Sequence, residues 1–238
     1  CLYYSIDQLN NINGKNMSSF SIKRSLFTQL ARIGKAISQP NRLELLDYLA
    51  QSPYNVETLS KLSGLSIANT SQHLKQLKLA GLIESDKQGQ HVFYQISGND
   101  VVQMMELVRH VAENHLAEIN HLMQQHLDPL DSTEAISAND LEQRIATGEV
   151  KVIDVRPIAE YESGHITDSE HMPLDQLMNS INTLKSCTEI VAYCRGPYCV
   201  YSYEAIAILR REGINVRRYE AGFPEWKAQG RAVTEISA

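Results

Sequence analysis

The run Cys194-Arg195-Gly196-Pro197-Tyr198-Cys199-Val200 brings two thiols, a guanidinium and a Gly-Pro turn into one short segment. The apolar residues 190–193 before it read as a strand, and a helical pattern begins near Tyr201. A tight loop between strand end and helix start aims backbone N–H groups inward and adds the positive end of a helix dipole. Both effects, with Arg195 adjacent, favour a thiolate over a thiol and make Cys194 a candidate nucleophile. An inert cysteine buried at a strand end fits the same spacing equally well. Cys187 falls in a loop before the strand and carries no comparable signal.

A second chemistry-bearing set lies at residues 67–80. Ser66 caps a helix there, after a turn built on Gly64-Leu65-Ser66, and the helix stops at Gly81. Ile67, Leu74 and Leu77 share one face and are expected to pack inward. Asn69, Thr70, Gln72, His73, Lys75 and Gln76 face the other way. They offer donors and acceptors for base edges and a cation for phosphate, or they form an ordinary solvated face.

The elements that position these residues follow from periodicity. Leu26, Leu30, Ile33 and Ile37 mark a first helix ending before Gln39-Pro40, and a second carries Leu43, Leu45, Leu46, Tyr48 and Leu49. Asn55 caps a short third helix that Gly64 ends. Residues 82–85 and 91–96 read as two strands around a Gly89 turn, which makes helix-turn-helix plus hairpin. Residues 101–126 read as one long helix with an apolar stripe suited to dimerisation. From Ile136 the pattern changes. Strand-like runs at 150–155, 190–193 and 216–219 alternate with helical patterns at 139–146, 157–163, 174–184, 201–211 and 224–229, which predicts an α/β unit with a mostly parallel sheet.

The segment GLSIANTSQHLKQLKLAGLIESDKQGQHVFYQI resembles the recognition helix and wing of the ArsR-type winged-helix repressors. That resemblance implies a symmetric dimer on a double-stranded DNA operator, read by Asn69, Thr70, Gln72, His73 and Lys75, with Lys87 and His91 on the wing. The segments VIDVRPIAEYESGHITDSEHMPLDQL, IVAYCRGPYCVYSYEAIAILRREG and YEAGFPEWKAQGRAV resemble, in order, the signatures of a single rhodanese domain. This second resemblance implies a persulfide on Cys194, cradled by the backbone of Gly196, Pro197, Tyr198 and Val200, with Arg195 contacting an anion. It also implies scaffold roles for Asp154, Arg156, Glu160 and His165. Cys199 could attack the persulfide by thiol exchange or could be a small packing residue. The cysteine phosphatases that share the fold place an Arg where this chain has Val200, so phosphoryl chemistry lacks its clamp and sulfur transfer is preferred.

The expected architecture is therefore two domains. A mainly α winged helix-turn-helix of α+β type occupies 20–127, a linker 128–132, and an α/β rhodanese domain 133–238. Residues 1–19 are expected to be a leader of little functional content, with Met17 the more natural start. The net charge of −6 seems to oppose DNA, but residues 15–87 carry 10 basic against 5 acidic side chains, and residues 131–238 carry 11 against 17. Four cysteines without a framework favour a reducing cytoplasmic setting, and no apolar run is long enough to span a bilayer.

The family resemblance also raises a metal site on the long helix. Glu113, His115 and His126 fit three of its elements, but Pro129 stands at the fourth, and solvated histidines are the commoner outcome. Zinc would suit such ligands; no cofactor is otherwise required. Residues 52–56 lack the thiol of the cysteine-based alternative. Two functions remain in view. One is a DNA-binding regulator whose rhodanese domain senses or transfers sulfane sulfur from a donor such as thiosulfate or a persulfide. The other is primarily a sulfurtransferase with a vestigial DNA domain.

Overall fold

The computed structural model describes residues 19–131 and 133–235. The expected leader lies almost wholly outside them, as does Ser132 of the linker.

Helix α1 (Ser19–Ile37) leads into α2 (Pro40–Gln51), which has Pro40 in its first turn. Strand β1 (Tyr54–Asn55) is absent from the sequence reading, being only two residues long. Helix α3 (Val56–Ser63) is capped by the Asn55 side chain, which accepts from the Thr58 amide, and ends at Gly64 in the left-handed region at φ 68°. Helix α4 (Ile67–Leu79) is capped by Ser66. Strands β2 (Ile83–Gln88) and β3 (His91–Ile96) form the wing, and β1 joins β3 to make a three-stranded antiparallel sheet, β1-β3-β2. Leu45, Leu46, Leu49, Leu59, Leu74 and Leu77 meet in the core beneath it, all 2% exposed or less.

The expected long helix is broken. α5 (Asn99–His115) and α6 (Ala117–His126) meet at Leu116, whose backbone is extended at φ −112°, ψ 101°. No Pro or Gly marks the break. Instead two asparagine side chains occupy helix-end carbonyls: Asn114 Nδ2 donates to the His110 carbonyl at 2.9 Å and Asn120 Nδ2 to that of Glu113 at 2.9 Å. Such bonds give the backbone an alternative to the helical ladder.

Beyond residue 133 lie α7 (Ala138–Thr147), β4 (Lys151–Asp154), α8 (Ile158–Ser163), β5 (His165–Ile166) and β6 (Glu170–His171). They are followed by α9 (Leu174–Leu184), β7 (Ile190–Tyr193), α10 (Val200–Arg211), β8 (Val216–Arg218), α11 (Phe223–Ala228) and β9 (Val233–Thr234). The main sheet is parallel in the order β6-β4-β7-β8, and β5 pairs antiparallel with β9. Alternate residues feed opposite layers, as the strand period requires. Ile153 and Ala192 pack with α9 and α10, whereas Val152 and Val191 pack with Leu141, Phe223 and Trp226. Both faces are covered, as a parallel sheet requires.

Candidate functional site

Cys194 follows β7 directly and is 1% exposed, while Cys199 is half-buried at the N-cap of α10. The two sulfurs are in hydrogen-bond contact. Burial pushes the Cys194 thiol well up. The Cys199 thiol is pulled down to about 6, first by the bond from Cys194 and then by the Arg195 and Tyr201 amides. The pair titrates as a unit and holds one thiolate near neutral pH. The helix starts at Val200, six residues after Cys194, so Cys199 stands at its N-cap, and it is the Cys199 thiol that is lowered. Pro197 has no N–H to offer a cradle, and the Cys199 amide is already bonded to the Gly196 carbonyl at 3.1 Å. The Tyr203 hydroxyl pins the loop by donating to the Pro197 carbonyl at 3.0 Å.

The Arg195 guanidinium is not free for an anion. It chelates Glu160, with Nε at 2.9 and 3.0 Å and Nη2 at 2.5 Å from the carboxylate oxygens. It also lies over the rings of Tyr48 and Tyr201. Glu160, expected to organise the turn after the first strand, is 1% exposed and instead serves as the counterion of the cysteine loop. His165 does hold that turn, with Nδ1 2.9 Å from the Tyr161 carbonyl and its ring stacked on Tyr161. Asp154 and Arg156 form a fully buried ion pair at the end of β4.

The loop faces the winged-helix unit. Gln51, the last residue of α2, is buried and donates from Nε2 to the Arg195 carbonyl at 3.1 Å, while its Oε1 accepts from Arg156 Nη1 at 3.3 Å. The Tyr54 hydroxyl donates to Glu160 at 3.1 Å. Arg109 of α5 pairs with Glu225 at 2.9 Å, and the Tyr198 hydroxyl donates to Glu113 at 2.7 Å. Gly222 lies so close under the loop that a Cβ there would stand 2.2 Å from the Arg195 carbonyl oxygen. None of these inter-unit bonds was legible in the sequence, because the partners are up to 144 positions apart.

On α4, Asn69, Gln72 and Lys75 are exposed and His73 is partly so; Lys87 and His91 are exposed on the wing. Thr70 departs from expectation. It is fully buried, with its hydroxyl donating to the Ser66 carbonyl at 3.0 Å, and cannot reach a base edge. Ile67, expected inside, is 54% exposed. The helix is thus rotated so that Thr70, Leu74 and Leu77 form the buried stripe; the i, i+4, i+7 spacing of 70, 74 and 77 was the signal available. His115 ends α5 and His126 ends α6, on opposite sides of the Leu116 break. Among the described residues no group of three or more His, Cys, Asp or Glu is placed to hold a metal ion. No helix among them is long and apolar enough to cross a membrane.

Residues 39–85 match the family described as bacterial regulatory protein, arsR family, and residues 137–229 match the rhodanese-like domain. Over 214 residues the chain is 39% identical to the HTH-type transcriptional regulator Rv0324 of Mycobacterium tuberculosis, covering 90% of this chain and 93% of that one. It is 36% identical to the HTH-type transcriptional regulator YgaV of Escherichia coli over 35% of this chain and 85% of that one. A solution structure of the homodimeric winged helix-turn-helix DNA-binding domain of Mb0332 from Mycobacterium bovis is 37% identical, covering 43% of this chain and 93% of that one, with a TM-score of 0.39. Fold and matches together define a winged helix-turn-helix unit joined to a rhodanese-like unit. The chain belongs to the ArsR family of helix-turn-helix transcriptional regulators, in the form that carries a C-terminal rhodanese-like domain.

Proposed function

We propose that this regulator reads the availability of sulfane sulfur in the cytoplasm through Cys194 and converts it into a change of operator affinity. The observation that carries the reading is the docking of the cysteine loop on the end of α2 by Gln51, and on β1 through Glu160, which accepts from both Arg195 and Tyr54. α2 packs on α4, and β1 pairs with β3 of the wing, so both DNA-facing elements touch the segments that hold the loop.

The Cys194 thiol passes its proton to the Cys199 thiolate and attacks the outer sulfur of a donor, the donor's S–S bond breaks, and the leaving thiolate or sulfite departs. Cys194 then carries the persulfide. Attack by Cys199 on the inner sulfur releases hydrogen sulfide and leaves a Cys194–Cys199 disulfide, with no outside oxidant needed. Arg195 and Glu160 hold the loop shape in this scheme; they do not receive the donor's charge.

On the DNA side, a homodimer forms through the exposed apolar faces of α1, including Leu26, Phe27 and Leu30, and of α5 and α6, including Leu107, Val111 and Leu122. It presents Asn69, Gln72, His73 and Lys75 to the major groove, with Lys87 and His91 near the backbone. The test is a mobility shift on the DNA upstream of the protein's own gene, with Cys194 reduced, persulfidated and replaced in Cys194→Ser. The reading requires the persulfidated form to differ from the other two; one shift common to all three removes it.

A further inference from the structure

Between the two units lies an open cleft of about 600 Å³, within the range of small-molecule sites. Its walls are apolar: Leu43 and Tyr48 of α2, Val108 and Ala112 of α5, and Tyr198 and Val200 of the cysteine loop. Cys199 is the sulfur that opens onto it, and Cys194 lies behind. The charges around it are unevenly matched. Arg195 is bound to Glu160 and Arg109 to Glu225, which leaves no unpaired cation among the described lining residues. Glu44 and Asp47 also face the cleft, and neither has an ion-pair partner. A dianion such as thiosulfate would meet apolar walls, the exposed Glu44 carboxylate, and Asp47, which burial raises to about 7. A neutral apolar sulfane would meet matching walls, and the carboxylates would favour its protonated form.

We infer that this cleft binds an apolar organic hydropersulfide, R–S–SH, in its neutral form and presents its outer sulfur to the Cys194–Cys199 pair. This rests on the persulfide reading above and names its donor class. The step balances without further reagents: the cysteine thiolate attacks the outer sulfur, the donor's S–S bond breaks, and R–S⁻ leaves. The protein keeps a cysteine hydropersulfide. Of the dimer-face residues named above none lines the cleft, although Val108, beside Leu107 on α5, does.

The experiment measures single-turnover sulfuration of the full chain by mass spectrometry with benzyl hydropersulfide, glutathione persulfide and thiosulfate at equal concentration. The benzyl donor should react at least about tenfold faster than either of the others, the difference a few matched apolar contacts give. Ala112→Trp, which fills the cleft, and Leu43→Glu, which charges its wall, should each bring that ratio towards one. Thermal unfolding shows which variant keeps its fold, and a folded one of the two suffices. Equal rates for all donors in the native protein, or a ratio untouched in a folded variant, overturn the inference and leave the persulfide reading intact. No sulfuration by any donor overturns both. A variant that keeps the native ratio but falls to monomers in sedimentation assigns the cleft to a second copy of the chain, which also overturns the inference.

Discussion

Gln51→Leu removes one side chain that links the cysteine loop to the helix bearing the DNA-reading unit, with little change of volume. Gln51 is 3% exposed, and its amide satisfies both the Arg195 carbonyl and one donor of the buried Arg156 guanidinium. Leu satisfies neither. A buried carbonyl left unbonded costs about 1–3 kcal/mol, and a bond to a charged group contributes about 1.5–3 kcal/mol. The gain from a buried apolar side chain offsets about 1–2 kcal/mol of this. The net loss is therefore on the order of 2–3 kcal/mol, located at the junction of the two units. The same bond carries the proposed coupling between sulfur state and operator affinity, and coupling energies of this kind run to about 1–3 kcal/mol. The assay is a cycle: operator affinity of the native protein and of Gln51→Leu, each reduced and persulfidated. Native protein should show a ratio of affinities of about 5–150 between the two states, and Gln51→Leu a ratio near one with operator binding itself retained. A Gln51→Leu protein that unfolds at a lower temperature yet keeps the full native ratio refutes the relay through α2.

The Cys199 pKa of about 6 sets a pH test, since thiolates and not thiols are alkylated. Iodoacetamide labelling of Cys199 should rise with a midpoint near 6 and be flat above neutrality; a midpoint near the ordinary thiol value of about 8.5 overturns the one-thiolate pair. Because that folded pKa lies below the unfolded one, the stability it contributes is complete above the unfolded value and is lost as pH falls through about 6. Gly222→Ala places a Cβ against backbone of the loop, which cannot yield as a side chain can, and should destabilise by about 1–3 kcal/mol in chemical unfolding and displace the Arg195 carbonyl. Asp154→Asn strips the counterion from Arg156, both partners being wholly buried, and should cost about 3–5 kcal/mol; a loss below about 1 kcal/mol would show that Gln51, the Gly164 carbonyl and the Phe223 ring suffice. Lys75→Ala should weaken operator binding and reduce its salt dependence by about one charge, whereas Thr70→Ser, which keeps the buried bond to Ser66, should leave affinity within about twofold.

What the sequence determined by itself is what depends on neighbours a few residues apart. The caps at Asn55 and Ser66, the left-handed stop at Gly64, the wing around Gly89 and the strand–cysteine–helix order at 190–211 all follow from local hydrogen bonding and periodicity. So did the two-unit division and the placing of the basic surplus on the first unit. The rotation of α4 was written in the 70, 74, 77 spacing but was masked by Ile67, whose apolar side chain is left outside. The break at Leu116 was hidden because no proline or glycine marks it; the Asn120 side chain takes the Glu113 carbonyl that the Ala117 amide would use in a continuous helix.

Tertiary structure alone decided the electrostatics of the cysteine pair and where it faces. A pKa depends on burial and on charges brought in from distant positions; Glu160, 35 residues from Arg195, neutralises the loop's cation. Cys199 takes the N-cap of α10, and the Arg195 and Tyr201 amides that lower its thiol are set there by the fold. Gln51 joins the loop, and Tyr54 the loop's counterion Glu160, to the winged helix across more than 100 residues, a separation no sequence period can encode. That packing turns two separately recognisable units into one junction with a cleft lined by Cys199.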